Sequence, residues 1–407
     1  MKKSLFILMG ILSVALFGCS SDEEKGQDGP KSRMELNTEQ ENINEYEIGV
    51  AFDMFAEIYA GANDRENVLF SPLSKDLCMG LLANALADND RDFLVEKLGA
   101  GTATALNEFN RDRLNYFTYK GKKAKVYFAN SIWANSLTMK SKSEFSAGAD
   151  VIKKYYDAEC RTLDFSTSDV QKMVNDWCAD KTEGLIRDFL ENPVSPGTTS
   201  ILINAMYFCC SWETPFDKAF TKKESFYAPD GKQRRNSAEM MFDDKRKVSY
   251  YVTDDFAAFT LPYEACNYSA VFVLPNTDKT IADILPDVKD MLLERQLDKS
   301  EPEKMIIKIP RFKTDYKTYI TKYLEKCGIK LSGLDMLGFG KFTSEVLQAT
   351  NLTVDEEGTT MAAVTGITGI IAPRPEAIVL NRPFLMLVRD NNMGSILMMA
   401  AIQSPKE

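Results

Sequence analysis

Between Ser200 and Trp212 the chain reads SILINAMYFCCSW, an almost continuous apolar run of strand length without one charged side chain. A strand with one wet face alternates polar and apolar residues, so a run that does not alternate predicts a strand buried on both faces. Such a strand belongs in the middle of a sheet that is covered from either side.

The rest of the chain supplies elements of both kinds. Val50, Ala51, Phe55, Ile58 and Tyr59 recur at three- and four-residue intervals and predict a helix over Glu45–Ala60. In NVLFSPLSKDLCMGLLANAL, Ser71 and Pro72 read as a strand end leading into a helix start, with Leu77, Leu81, Leu82 and Leu86 as its buried face. A third helix is expected over Ser143–Tyr156, and a helix with a turn over Ser168–Leu190. AKVYFANSIWAN, Ala124 to Asn135, is rich in β-formers. The second half is dominated by strands: KVSYYVT, FAAFTLPY, YSAVFVLPN, KMIIKIPRF, EAIVL, PFLMLVRD and SILMMAAI. No repeat or internal linker divides residues 44–405, so the reading is one mixed α and β domain with several sheets.

The most useful count for chemistry is zero histidines among 407 residues. That excludes Ser-His-Asp and Cys-His relays and every histidine-bearing zinc site. Carboxylate, lysine or tyrosine chemistry stays open, but nothing in the chain visibly arranges it. A formal charge of −10 makes nucleic acid a poor partner, and no cofactor or metal is expected.

At the N-terminus, MKKSLFILMGILSVALFGCSSDEE places two lysines before an apolar run from Leu5 to Phe17. Thirteen residues are too few for a membrane span, which needs about 17–25, so residues 1–18 read as a secretory signal. Removing them takes Lys2 and Lys3 and lowers the charge to −12. LFGC resembles the bacterial lipobox, which implies cleavage before Cys19 and acylation of that cysteine; an ordinary signal peptide is the alternative. The acidic SSDEE resembles the surface-export tag of lipoproteins from Bacteroides-like bacteria. The expected location is therefore the outer membrane or cell surface, facing outward or into the periplasm, with residues 19–43 as a flexible tether. The other seven cysteines (Cys78, Cys160, Cys178, Cys209, Cys210, Cys266 and Cys327) are odd in number and have no CxxC spacing, which argues against a disulfide framework.

Four separated segments then point one way. NVLFSPLS (Asn67–Ser74), NAMYFCCSWETPF (Asn204–Phe216), VDEEGTT (Val354–Thr360) and NRPFLMLVRD (Asn381–Asp390) resemble, in order and spacing, signature segments of the serpins, the serine protease inhibitor family. The resemblance covers roughly 44–405 and is supported by DFSTSDVQKMVNDWCADKTEGLIRDFL and IPRFKTDYKTYITKYLEKCGI. It implies an α+β serpin fold with three β-sheets, about eight or nine helices and an exposed reactive-centre loop. It also implies a monomeric suicide substrate, not an enzyme, whose partner is a protease held as a covalent acyl complex. After the protease cuts the loop, the loop enters the main sheet as an extra strand, and the uncut fold is metastable.

Thr359 to Ala372 has the composition such a loop requires: fourteen residues without charge or proline, rich in Thr, Ala, Gly and Ile. Taken alone it reads better as an ordinary buried strand; the flanking VDEEG and NRPF segments reverse that. With a period of two, Thr359, Met361, Ala363, Thr365, Ile367, Gly369 and Ile371 would share the core-facing side after insertion. About ten new ladder hydrogen bonds at roughly 1 kcal/mol each would contribute on the order of 10 kcal/mol.

Carried over position by position, the resemblance makes Glu356, Glu357, Gly358, Thr359, Thr360, Met361, Ala362 and Ala363 the hinge, exposed until the loop is cut. Ser71, Ser74, Asn204 and Gln348 match the cluster that controls sheet opening, with Gln348 where the family usually has histidine, and Trp212 matches the point where insertion begins. Met361 replaces the usual alanine, and its bulk on the inserting face would slow closure. Loop counting lands on Ala372, but Pro373 follows it, and a bond to proline nitrogen is a poor substrate; Arg374 is likewise shielded by Pro375. The expected reactive bond is Ile371–Ala372, suited to elastase-like or other serine and cysteine proteases that prefer aliphatic residues. Two alternatives stay open: a non-inhibitory serpin acting as an extracellular binding module, and an unrelated hydrolase or binding lipoprotein.

Overall fold

The structure, a computed structural model, describes residues 29–341, 346–359 and 377–406. The first half of the chain contains α1 (Thr38–Ala60), β1 (Val68–Phe70), α2 (Pro72–Ala83), α3 (Asp88–Lys97), α4 (Ala103–Phe117), β2 (Tyr119–Lys120), β3 (Ala124–Asn135), α5 (Lys142–Tyr156), β4 (Glu159–Leu163), α6 (Val170–Lys181) and β5 (Ser200–Ser211). Then come β6 (Lys222–Tyr227), β7 (Arg234–Val248), β8 (Tyr250–Val252), β9 (Phe256–Pro262), β10 (Tyr268–Pro275), α7 (Ile281–Leu293), α8 (Gln296–Lys299), β11 (Glu303–Pro310) and β12 (Phe312–Tyr319). The chain closes with α9 (Thr321–Lys326), β13 (Asp335–Met336), β14 (Gly340–Lys341), β15 (Leu347–Val354), β16 (Gly358–Thr359), β17 (Ala377–Val379), β18 (Phe384–Asp390) and β19 (Ile396–Ile402).

Three larger sheets organise these strands. One has six strands in the order β1-β19-β18-β10-β9-β8, and one has four in the order β17-β11-β7-β6. The third has five, β16-β5-β3-β2 with β4 on β3. Two two-stranded ladders, β12-β15 and β13-β14, complete the set among the described residues.

The five-stranded sheet is enclosed as the run at Ser200–Trp212 predicts. Ile201 and Ile203 of β5 join Trp133 of β3 in a cluster under α6 (Val170, Val174, Trp177), whereas Leu202 and Ile132 point into the main core with Met79 and Leu82 of α2. Both faces of β5 are therefore dry, and α6 and α2 lie on opposite sides of it.

Two readings require correction. The body begins before residue 44: Asn37 caps α1 through a capping box with Gln40, and Ile43 is fully buried. Apolar periodicity starts only later in that helix, so the first turn is visible only through its cap. Lys31 is also docked, donating to the carbonyls of Asn115, Tyr116 and Thr118 at the end of α4, and Met34 and Leu36 are partly buried against the core, so the stretch read as a tether touches the body before residue 44. Second, α2 is buried all round, including Lys75 and Asp76, which pair with each other beside a Glu47–Arg113 pair joining α1 to α4. Buried ions survive only when paired, and the Arg113 guanidinium also bonds Asn110.

Candidate functional site

The site lies where β5, β15 and the short β16 meet. β5 pairs with β3 along its length, and β15 pairs only with β12; no ladder joins β5 to β15 among the described residues. The two strands nevertheless lie side by side, since Leu347 of β15 shares the cluster of Ile201 and Ile203. They form a seam between two halves of one layer.

At one end of that seam β16 forms a wedge. Gly358 pairs with Ser211 and Thr359 with Cys210, antiparallel to β5. Only glycine fits at the first of these positions: a Cβ on Gly358, at φ +156°, would stand 2.3 Å from the Cys210 carbonyl oxygen and 2.6 Å from Ser211 Cα. Thr359 is 2 % exposed, and its Oγ1 lies 2.9 Å from the Tyr263 hydroxyl. Burial pushes the Tyr263 phenol well above its ordinary value, so it stays neutral.

Trp212 holds the turn that leads into the wedge. Its indole N–H donates to the Asp355 carbonyl at 2.9 Å and its backbone N–H to that of Glu357 at 2.8 Å, while Phe216 N–H donates to Glu356 at 2.7 Å. The Asp355 carboxylate accepts from the N–H groups of Glu357 and Gly358, closing the turn. Trp212 itself is fully buried and stacks on Tyr263, ring centres 4.6 Å apart.

The acidic flank is not the exposed end that its composition suggests. Glu356 is fully buried: Thr221 Oγ1 donates to it at 2.6 Å and Arg311 Nε stands 3.3 Å away. Glu357 is partly buried and pairs with Lys218 at 3.0 Å. Thr359 likewise departs from expectation, since it already occupies the first buried place beside β5. The glycine before it permits the close approach, and Tyr263 satisfies its hydroxyl.

Below the wedge, Ser71, Ser74 and Gln348 come together. Ser71 caps α2, its Oγ accepting from Ser74 N–H and donating to the Leu397 carbonyl at 2.7 Å. The Gln348 amide grips the Ser71 backbone twice, donating from Nε2 to its carbonyl and accepting its N–H at Oε1, each at 2.9 Å. A neutral amide does both without titrating. Asn204 is held differently, donating to Asn130 on β3 at 2.5 Å with its own Oδ1 unpartnered. It shares the α2 face of β5 with Met206, which Ser71 Oγ touches at 3.9 Å.

Thr360, Met361, Ala362, Ala363, Ile371, Ala372 and Cys19 lie outside the described residues. Tyr263, Asp355, Arg311, Thr221 and Lys218 went unnoticed in the sequence. Of these, Asp355 within VDEEGTT and Arg311 within IPRF sit in segments that carried the resemblance. No group of three or more His, Cys, Asp or Glu side chains among the described residues is placed to hold a metal ion.

Comparison with known proteins agrees with this architecture. The family model described as serpin (serine protease inhibitor) matches residues 46–405. Human antithrombin-III is 26% identical over 418 aligned positions, covering 95% of this chain and 87% of its own. Among solved structures, the thermophilic serpin tengpin in its native state aligns with a TM-score of 0.78 at 26% identity, covering 93% of this chain and 97% of its own. Human thyroxine-binding globulin aligns with a TM-score of 0.79 at 19% identity, covering 91% and 100%, a likeness of fold alone.

Proposed function

This chain belongs to the serpin family, whose members are in general protease inhibitors, and we propose that it is an inhibitory serpin acting as a suicide substrate. A target protease attacks the carbonyl of Ile371, expels the amine of Ala372 and is held as an acyl ester. The freed strand then inserts between β5 and β15.

The observation that carries this reading is the wedge. Two residues already continue from β15 through the Asp355 turn into an antiparallel ladder with β5, and among the described residues no ladder joins β5 to β15 in the seam ahead of them. A strand that advanced along this path would form hydrogen bonds on both sides without reversing direction.

The same reading has a monomer secured to the outer membrane or cell surface by lipid on Cys19. A second reading, an extracellular binding module, is favoured by the shared fold of thyroxine-binding globulin, a protein named for binding thyroxine.

The deciding experiment incubates the protein with an elastase-like protease and separates the mixture on a denaturing gel. A denaturant-resistant complex, together with a raised unfolding temperature after cleavage between residues 360 and 376, supports inhibition. Clean cleavage with neither effect supports the binding module and overturns the proposal.

A further inference from the structure

We propose that a cavity at one end of the six-stranded sheet, where the end of α1, the start of α7 and the start of β18 meet, binds a small tetrahedral oxyanion, phosphate or sulfate, with Arg382 as its principal ligand. None of its residues belongs to the seam or the wedge, so the site stands apart from the inhibitory reading above.

The strand order builds the cavity. β18 runs antiparallel to both neighbours, with Phe384 opposite Ile402 of β19 and Leu385 opposite Val273 of β10. Arg382 just before β18, Gln403 just after β19 and Pro275 at the end of β10 therefore share one edge of the sheet. The last turn of α1 is fastened there by Gln403, whose Nε2 donates to the Tyr59 hydroxyl at 2.9 Å. Arg235 of β7 reaches in from the four-stranded sheet and donates to the carbonyls of Asp64 and Gln403. With Lys279 and the first residues of α7, these groups enclose about 150 Å³.

The lining is rich in donors. It holds three cations, Arg235, Lys279 and Arg382, and the Tyr59 hydroxyl, which accepts from Gln403 and has its own proton to give. Two of the cations already have a carboxylate: Asp64, 80% exposed, stands 3.4 Å from Arg235, and Asp255 takes Lys279 at 3.0 Å. Asp283 is occupied in capping Thr280.

Arg382 differs from the other two. Its Nη2 donates to the Pro275 carbonyl at 2.8 Å, but its Nε is buried with no acceptor in reach among the described residues. Burial lowers its pKa, with no neighbouring charge to offset the loss of water. Buried donors normally have acceptors and buried cations a counter-charge, and an oxyanion at this place supplies both. The guanidinium fork selects the class. Its parallel N–H groups match two oxygens of a phosphate or sulfate, which leaves the remaining oxygens for Lys279, Arg235 and Tyr59.

Calorimetric titration of the purified protein with inorganic phosphate, and separately with sulfate, tests the site, with sodium chloride at matched ionic strength as the blank. Wild type should bind both saturably. Arg382→Gln should weaken binding roughly tenfold or more, as expected for lost hydrogen bonds to a charged group. Lys279→Gln should weaken it roughly twofold to fivefold, since that ammonium is partly in water. Lys299→Gln, an exposed lysine that does not line the cavity, should bind as wild type does. Phosphate should also raise the unfolding temperature of wild type more than that of Arg382→Gln. If Arg382→Gln does not fold, Arg382→Lys, which keeps the charge without the fork, and Lys279→Gln carry the test, and both should bind more weakly than wild type. No saturable binding by wild type, unchanged binding in the cavity variants, or equal weakening by Lys299→Gln overturns the site. So do equal thermal shifts in wild type and the Arg382 variant, the mark of a salt acting on the whole surface.

Discussion

Tyr263 and Thr359, ninety-six residues apart in sequence, meet through their hydroxyls at 2.9 Å, and this bond closes the first buried place in the seam. Tyr263 is held flat against Trp212, so the phenol position is set by a ring stack before the hinge arrives. The hinge is thus received by a hydrogen-bond partner already in place.

Tyr263→Phe keeps the stack and removes only the hydroxyl, leaving the Thr359 Oγ1 without that partner. Stability should fall by about 1 kcal/mol, read from urea unfolding, and the Thr359 amide should lose hydrogen-exchange protection. Unchanged protection would mean that the bond does not hold the wedge.

Gly358→Ala introduces a Cβ 2.3 Å from a backbone oxygen, and backbone of a central strand cannot retreat cheaply. The wedge should be expelled at a cost of roughly 1–3 kcal/mol. With its first step blocked, the variant should be cleaved several times for each complex formed, measured as the stoichiometry of inhibition. Wild-type stoichiometry would contradict the path of insertion.

Asp76 gives the fold a pH dependence of unusual sign. Burial first, and then the Glu47 carboxylate, push it from 3.8 to about 7, against the pull of Lys75 and Arg113. A carboxyl raised on folding holds its proton better in the native state, so its contribution is fully present below about pH 4 and is lost as pH rises toward 7. Asp390, raised to about 6 chiefly by burial, acts in the same direction. Denaturant titrations at pH 5 and pH 8 should show Asp76→Asn with a flatter dependence than wild type; parallel profiles would refute the assignment.

Cys19→Ala should release the protein from membranes if the cysteine carries the lipid. Detergent partitioning of the wild type and variant decides it, and equal partitioning would dismiss the anchor.

Much of the scaffold could be read directly from the chain. AKVYFANSIWAN is β3 to the residue, and the helix announced by Ser71 and Pro72 begins at Pro72 with Ser71 as its cap. The signal is local in each case: strand alternation, helical spacing and capping chemistry are set by neighbours a few residues apart. The polar cluster was partly legible too, because Ser71 and Ser74 share one turn. The way Gln348 grips the Ser71 backbone was not.

The sequence by itself therefore determined which segments could be strands or helices, that histidine chemistry is absent, and that a charge-free segment lies between Thr359 and Ala372. Only the tertiary structure decided that Glu356 is buried beside Arg311, that Thr359 already pairs with β5, and that Lys75 and Asp76 lie in the core of an all-buried helix. The physical reason is the range of the forces involved. Periodicity records which side of an element avoids water. Whether a charge or hydroxyl can follow it inside depends on a partner delivered by a distant strand, and no local pattern encodes where that partner will stand.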